Sequence, residues 1–130
     1  MLANSLIPFP NDTERRVFGA IFGGERMERT VKQFLIKYRL KNGSEERWHL
    51  DITRFISALD NDPALHGKIS YRCLKGRGGS DYYHLATAAD DDAIRALQAR
   101  EFFRLYTEQT KLASGGEVEV LPLEIVAETA

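Results

Sequence analysis

The chain has 130 residues, of which 43% are hydrophobic and 28% are charged, and both fractions are ordinary for one soluble globular domain. Its 18 basic and 19 acidic side chains give a net charge of −1, which argues against nucleic acid as a partner because phosphate binding needs a basic excess. The single cysteine, Cys73, excludes an internal disulfide, and the three histidines, at positions 49, 66 and 84, have no metal-binding spacing. We therefore predict neither a metal site nor a bound cofactor.

The first 31 residues are predicted to form an arm that precedes the domain. Pro8 and Pro10 interrupt regular structure, and apolar residues at helical spacing predict one short helix over 14–22. The chain begins without a basic residue, and no run approaches the roughly 20 apolar residues that cross a membrane. We therefore expect a cytoplasmic protein without membrane contact, whose domain proper spans residues 32–130.

The first half of the domain is predicted to contain a strand, a helix and a hairpin. Residues 33–40 alternate between apolar and polar, which is typical of a strand. The period changes at Ser44, where two glutamates follow, and apolar residues at helical spacing then predict a helix that ends near Pro63. Alternation returns over 68–74 and again over 82–87, with a glycine-rich turn between them that makes the two strands antiparallel neighbours.

The second half is predicted to contain one long helix, from Asp90 to about Ala113, and a strand over 118–126. Pro122 places that strand at an edge or a bulge of the sheet. The β-α-β-β-α-β order predicts a ferredoxin-like α+β fold, in which a four-stranded antiparallel sheet carries two helices on one face. Because Leu35 is apolar and lies opposite Phe34 and Ile36, the other face of the sheet needs a cover, which predicts a homodimer.

Three passages carry a resemblance to a known family: the strand over 34–40, the strand over 82–86 with the acidic run after it, and the helix over 97–103 with Tyr106 one turn later. This pattern resembles the dimeric α+β-barrel superfamily, and within it the antibiotic-biosynthesis-monooxygenase-like domains. The resemblance implies a homodimer with a cavity between sheet and helices. It also implies oxygenase chemistry on aromatic or polyketide-like small molecules, without a metal or flavin.

The strand over 82–87 carries the main candidates for chemistry. Tyr82 and His84 share one face, and a histidine can move a proton near neutral pH while a phenol can stabilise an oxyanion. Arg72, on the neighbouring strand, is predicted to pair with one of them and to stabilise an anion. The remaining candidates line the predicted pocket: Trp48, Tyr38, Phe102 and Tyr106.

Each of these candidates also has a purely structural interpretation. The aromatic side chains are typical of a core, His84 can be hydrogen-bonded in place, and Trp48 can simply pack a helix end. Cys73 is predicted to be buried and inert. Two functions therefore stay open: a cofactor-independent monooxygenase-like enzyme, and a non-catalytic homodimeric module that binds a small molecule or a protein.

Overall fold

The protein, seen in a computed structural model, is described over residues 31–130, so the predicted arm and its short helix lie outside the described residues. No helix in this range is long and apolar enough to cross a membrane. The strands pair antiparallel in the order β2-β3-β1-β4, which confirms the predicted ferredoxin-like fold. The elements are β1 (Lys32–Arg39), α1 (Glu45–Asp60), β2 (Ile69–Lys75), β3 (Asp81–Ala88), α2 (Asp91–Gln98), α3 (Glu101–Ser114) and β4 (Val118–Leu123).

The two faces of the sheet differ in what covers them. Along β1, Phe34, Ile36 and Tyr38 are buried beneath the helices, and the residues between them are only half-buried. Strand β4 lies at one edge, as Pro122 predicts, since proline cannot donate a ladder hydrogen bond. The face that the described helices leave uncovered is called the open face, and its side chains include Leu35, Lys37, Leu74, Tyr83, Leu85 and Leu121.

Helix α1 begins where the sequence predicts it. The hydroxyl of Ser44 accepts a hydrogen bond from the backbone N–H of Arg47 at 3.1 Å, and this satisfies one of the donors that a helix start leaves free. Residues Trp48, Ile52 and Phe55 then follow on the buried side of the helix. This spacing turns one helix face toward the sheet and brings two of its aromatic side chains to the candidate site.

Replacing Ser44 with alanine is expected to lower the free energy of unfolding by about 1 kcal/mol, because the Arg47 N–H loses its acceptor. Urea unfolding of the two proteins measures the difference. The matched control is Ser57→Ala, an exposed position inside the same helix, where alanine is the better helix former and no loss is expected. Equal losses at both positions would contradict the capping role.

The second predicted helix differs from the structure because it is divided into α2 and α3. Arg100, between them, has an extended backbone with φ −84° and ψ 137°. Its guanidinium donates two hydrogen bonds to the Asp62 carboxylate, at 2.6 and 3.3 Å, which ties the break to the turn after α1. No glycine or proline marks this position, and the contact that stabilises the break spans 38 residues, so the local pattern predicts a continuous helix.

Candidate functional site

A buried group of polar aromatic side chains lies between the sheet and the helices. The ladders bring its strand residues together, since Tyr38 pairs with Tyr82 across β1 and β3, and the neighbours of His84 in the ladders are Ile36 and Cys73. Helices α1 and α3 close the group from the other side. It is called the aromatic cluster and consists of Tyr38, Trp48, Tyr71, Tyr82, His84 and Tyr106.

His84 is at the centre of the aromatic cluster and is 0% exposed. Its Nε2 is hydrogen-bonded to the Tyr38 hydroxyl across 2.7 Å. Its Nδ1 lies 3.0 Å from the Tyr106 hydroxyl and 3.1 Å from the Tyr71 hydroxyl. Both ring nitrogens therefore have partners, as a buried imidazole requires.

Trp48 joins this group through its indole nitrogen. The N–H donates to the Tyr38 hydroxyl at 2.8 Å, and the indole ring stacks on the Tyr106 ring with the centroids 5.9 Å apart. The side chain is 3% exposed. Trp48 is therefore an internal member of the aromatic cluster.

Tyr82 lies beside His84, but its hydroxyl is hydrogen-bonded to a different residue. Its ring stacks on that of Tyr38, with the centroids 5.2 Å apart and the planes at 4°. Its hydroxyl is hydrogen-bonded to Nε2 of His49 across 2.8 Å. The sequence correctly places Tyr82 and His84 on one face, and the structure adds His49, a half-buried residue of α1, as the partner of the phenol.

Burial sets the protonation states of the aromatic cluster. Loss of solvent lowers the pKa of His84 to about 3, so the imidazole is neutral at neutral pH. The same loss of solvent raises the pKa values of the Tyr38, Tyr71 and Tyr106 phenols, so they keep their protons. At neutral pH these four groups form an uncharged hydrogen-bonded network in a medium of low polarity.

Arg72 does not join His84. In the ladder between β2 and β3 it pairs with Leu85, which places it on the open face, where it is exposed. The predicted pairing of Arg72 with His84 or Tyr82 is therefore wrong. Side chains alternate along a strand, and Cys73, next in the chain, occupies the place opposite His84.

The predicted pocket residues divide into two groups. Tyr38, Trp48 and Tyr106 belong to the aromatic cluster, whereas Phe102 is half-buried at its border, with its ring 6.0 Å from that of Phe55. Phe55 stacks closely on Tyr106, with the centroids 3.8 Å apart. Phe55 and Tyr71 are not among the predicted site residues, although both contact the predicted ones.

A signal for both was present in the sequence. Phe55 follows Trp48 by seven residues, two helical turns, and so shares its face. Tyr71 and Cys73 alternate with Arg72, which puts both on the helix-covered face.

Cys73 is half-buried, and loss of solvent raises the pKa of its thiol to about 12. We expect iodoacetamide to alkylate the native protein at pH 8 about 10³-fold more slowly than the unfolded protein, because the thiolate fraction falls with the raised pKa. Mass spectrometry of samples taken over time, with and without urea, measures both rates. Since the chain has one cysteine, each adduct reports on Cys73 alone, and equal rates would show a reactive thiol.

A cleft of about 540 Å³ lies at the ends of β1, β3 and β4. Tyr38 and Tyr82, two members of the aromatic cluster, contribute to its wall. Charged side chains make up most of the remaining lining. Among them, Nε of Arg39 forms an ion pair with the Asp81 carboxylate across 3.2 Å. Solvent therefore comes nearer to the stacked pair of tyrosines than to His84.

Comparison with known proteins defines the fold. No family model matches the sequence, and no curated protein matches it. SnoaB, a cofactor-independent oxygenase from Streptomyces nogalater, aligns with a TM-score of 0.63 at 16% identity, over 77% of this chain and 97% of that chain. A candidate antibiotic biosynthesis monooxygenase from Caulobacter crescentus gives a TM-score of 0.65 at 10% identity, over 85% and 99%.

A dimeric ferredoxin-like protein of unknown function from Jannaschia sp. also aligns, with a TM-score of 0.55 at 16% identity, over 73% of this chain and 99% of that chain. The chain shares the ferredoxin-like fold of these proteins. The predicted resemblance is thereby confirmed at the level of the fold. Because one fold hosts many chemistries, the reaction has to be argued from the aromatic cluster.

Proposed function

We propose that the protein is a small cofactor-independent monooxygenase-like enzyme that acts on an aromatic or polyketide-type molecule between the sheet and the helices. The observation that carries the proposal is the 2.7 Å hydrogen bond between Tyr38 and His84 inside an uncharged aromatic cluster. The fold shared with SnoaB, a cofactor-independent oxygenase, supports it.

The chemistry requires little from the protein. In an anthrone-type substrate, a CH₂ group between two aromatic rings becomes a carbonyl, one atom of O₂ enters the product, and the other leaves as water. The substrate anion supplies the electrons, so the protein has to accept one proton, shield the anion from bulk water, and return that proton to the oxygen atom that leaves as water. His84 is the proton acceptor in this proposal, with Tyr38 next to it on the substrate side.

The low pKa of His84 is compatible with this role because its cause is burial. A substrate anion beside the imidazolium supplies the opposite charge that the closed cluster lacks, and an ion pair in a medium of low polarity strongly favours the charged forms. The proton transfer is therefore coupled to substrate binding. The base is weak in the closed protein and becomes effective once the anion forms.

Substrate access requires the cluster to open, since His84 is 0% exposed and Tyr106 is 4% exposed. Tyr71 and Phe102 are half-buried aromatic residues at the border of the cluster. Moving them therefore exposes less buried surface than moving the residues at its centre. Flat aromatic molecules suit a site of this kind, because the rings already present stack in parallel, as Phe55 and Tyr106 do.

A second candidate function is a non-catalytic binding module, and the full burial of His84 favours it. An imidazole with both nitrogens bonded and no exposed surface has the properties of a structural hydrogen-bond centre. In this alternative the aromatic cluster stabilises the core, and the binding of a small molecule or a protein takes place elsewhere on the domain.

Both candidates include a homodimer formed through the open face. Leu35, Leu85 and Leu121 form one cross-strand row there, each half-buried, and Leu74 is 48% exposed on the edge strand. A second copy is the simplest cover for such a surface.

Light scattering should give the mass of two chains for the wild-type protein and the mass of one chain for Leu35→Glu. A monomeric wild-type protein at micromolar concentration would rule out the homodimer.

Oxygen consumption tests the enzymatic proposal directly. The protein is incubated with a panel of anthrone- and quinol-type substrates, and the uncatalysed oxidation in buffer is subtracted. We expect faster uptake with protein, and one ¹⁸O atom in the product when ¹⁸O₂ is supplied. Uptake equal to the uncatalysed rate across the panel would favour the binding module.

A further inference from the structure

The hydrogen-bond network around His84 begins at a group that can only donate. The indole nitrogen of Trp48 carries a proton and has no lone pair available as an acceptor, so its 2.8 Å contact with Tyr38 has one direction. The Tyr38 oxygen must therefore accept from Trp48. Every other member of the network is a hydroxyl or a neutral imidazole, which can act in either sense.

The direction of this hydrogen bond also determines the direction of the next one, between Tyr38 and His84. In the described residues, the Tyr38 hydroxyl has two hydrogen-bond partners, Trp48 and Nε2 of His84. Because the first is a donor, the phenolic proton of Tyr38 has its acceptor in Nε2. The opposite arrangement, with a proton on Nε2, would leave the Tyr38 proton buried without an acceptor. The cost of an unsatisfied buried donor makes this tautomer about tenfold or more less populated than the other.

We infer that Trp48, acting through Tyr38, fixes His84 as the tautomer that carries its proton on Nδ1. That proton then points to the Tyr106 and Tyr71 oxygens, 3.0 and 3.1 Å away, which accept it, and the two hydroxyls are themselves hydrogen-bonded to each other across 3.4 Å. Nε2 keeps its lone pair toward Tyr38. Trp48 is thus a positioning residue, since it reaches His84 only through Tyr38.

The inference depends on the proposed function only in its consequence for turnover. If His84 accepts a proton, the orientation makes Nε2 the accepting atom and makes the Tyr38 hydroxyl the group that delivers the proton. A substrate hydroxyl that donates to the Tyr38 oxygen would move the phenolic proton on to Nε2 in the same step. Without the indole N–H, the network can run in either direction, because all three tyrosine hydroxyls can donate or accept.

The tautomer can be measured on the protein alone, without substrate. Histidine is labelled with ¹⁵N, and two-bond ¹H–¹⁵N correlation spectra are recorded at pH 7, with the His84 signals assigned by their loss in His84→Gln. We expect the wild-type Nδ1 to have the shift of a protonated nitrogen and Nε2 that of a bare one. A bare Nδ1 with a protonated Nε2 would overturn the inference.

The role of Trp48 is tested by removing only its N–H. The chain has one tryptophan, so benzothienylalanine, which has the same shape with sulfur in place of the N–H, can be incorporated at that position alone. We expect the two His84 nitrogen shifts to move toward each other as both tautomers become populated; Trp48→Phe should do the same.

The matched control is Tyr71→Phe, which removes one acceptor on the Nδ1 side and leaves Trp48 and Tyr38 in place, so the wild-type pattern should persist. An unchanged tautomer after the benzothienylalanine replacement would show that Trp48 does not set it. Absence of oxygenase activity would remove the proposed function and leave this spectroscopic result unaffected.

Discussion

The protein is expected to lose about 2 kcal/mol of unfolding free energy between pH 7 and pH 5 through His84 alone. Burial lowers the pKa of His84 to about 3 in the folded protein, whereas an unfolded histidine titrates near 6.5. Below pH 6.5 the unfolded chain therefore binds a proton that the folded protein does not bind. The contribution is complete above that value and continues to fall until the pH reaches about 3.

Urea unfolding followed by the fluorescence of Trp48 measures this dependence at several pH values between 5 and 7. The variant His84→Gln is expected to be less stable at pH 7 because the network loses a partner, and the His84 contribution to the slope should disappear, so the difference between the two proteins narrows toward pH 5. The paired carboxyls of Asp62 and Glu101 have lowered pKa values, so their contribution to the free energy of unfolding is lost at more acidic pH. Equal slopes for the two proteins would mean that His84 is accessible to protons in the native state.

Much of the fold could be predicted because its signals are local. The alternation in β1 and β3 gives both the strands and their buried faces, so Tyr82 and His84 are placed correctly beside each other. The start of α1 is predicted for the same reason, since Ser44 lies at the boundary of a new hydrophobic period. These features depend on neighbours a few residues away.

The remaining features depend on contacts that are distant in the chain. The break at Arg100 is stabilised by Asp62, and the spacing of apolar residues within the predicted helix does not predict it. The partner of the Tyr82 hydroxyl is His49, which lies 33 residues away on α1. Hydrogen-bond partners are chosen by the three-dimensional packing, so the sequence can nominate polar aromatic residues without pairing them.

Arg72 is a different kind of error, because the sequence contained the means to avoid it. Residues 69, 71 and 73 alternate with 70, 72 and 74, and this pattern already separates Arg72 from the face that carries Tyr71. Arg72 could stabilise an anion in the site only from the face that carries Tyr71, and alternation along β2 places it on the other face. The described cluster contains only neutral donors, and the indole N–H of Trp48 among them is already bonded to Tyr38.

Replacing Tyr38 with phenylalanine is expected to lower the rate of substrate-dependent oxygen uptake by about 10²–10⁴-fold, the usual effect of removing a proton-transfer group. The ring remains, so its stacking on Tyr82 is retained, and only the hydroxyl between Trp48 and His84 is lost. Initial rates over a range of substrate concentrations separate kcat from KM.

The matched control is Tyr83→Phe, which removes a tyrosine hydroxyl from the neighbouring strand β3, on the open face. It should keep the wild-type rate, since Tyr83 lies outside the aromatic cluster. Full activity in Tyr38→Phe would remove Tyr38 from the proton path. A rise in KM with an unchanged kcat would have a different meaning: the hydroxyl would then hold the substrate equally in the ground and transition states, and the proton would leave by another route.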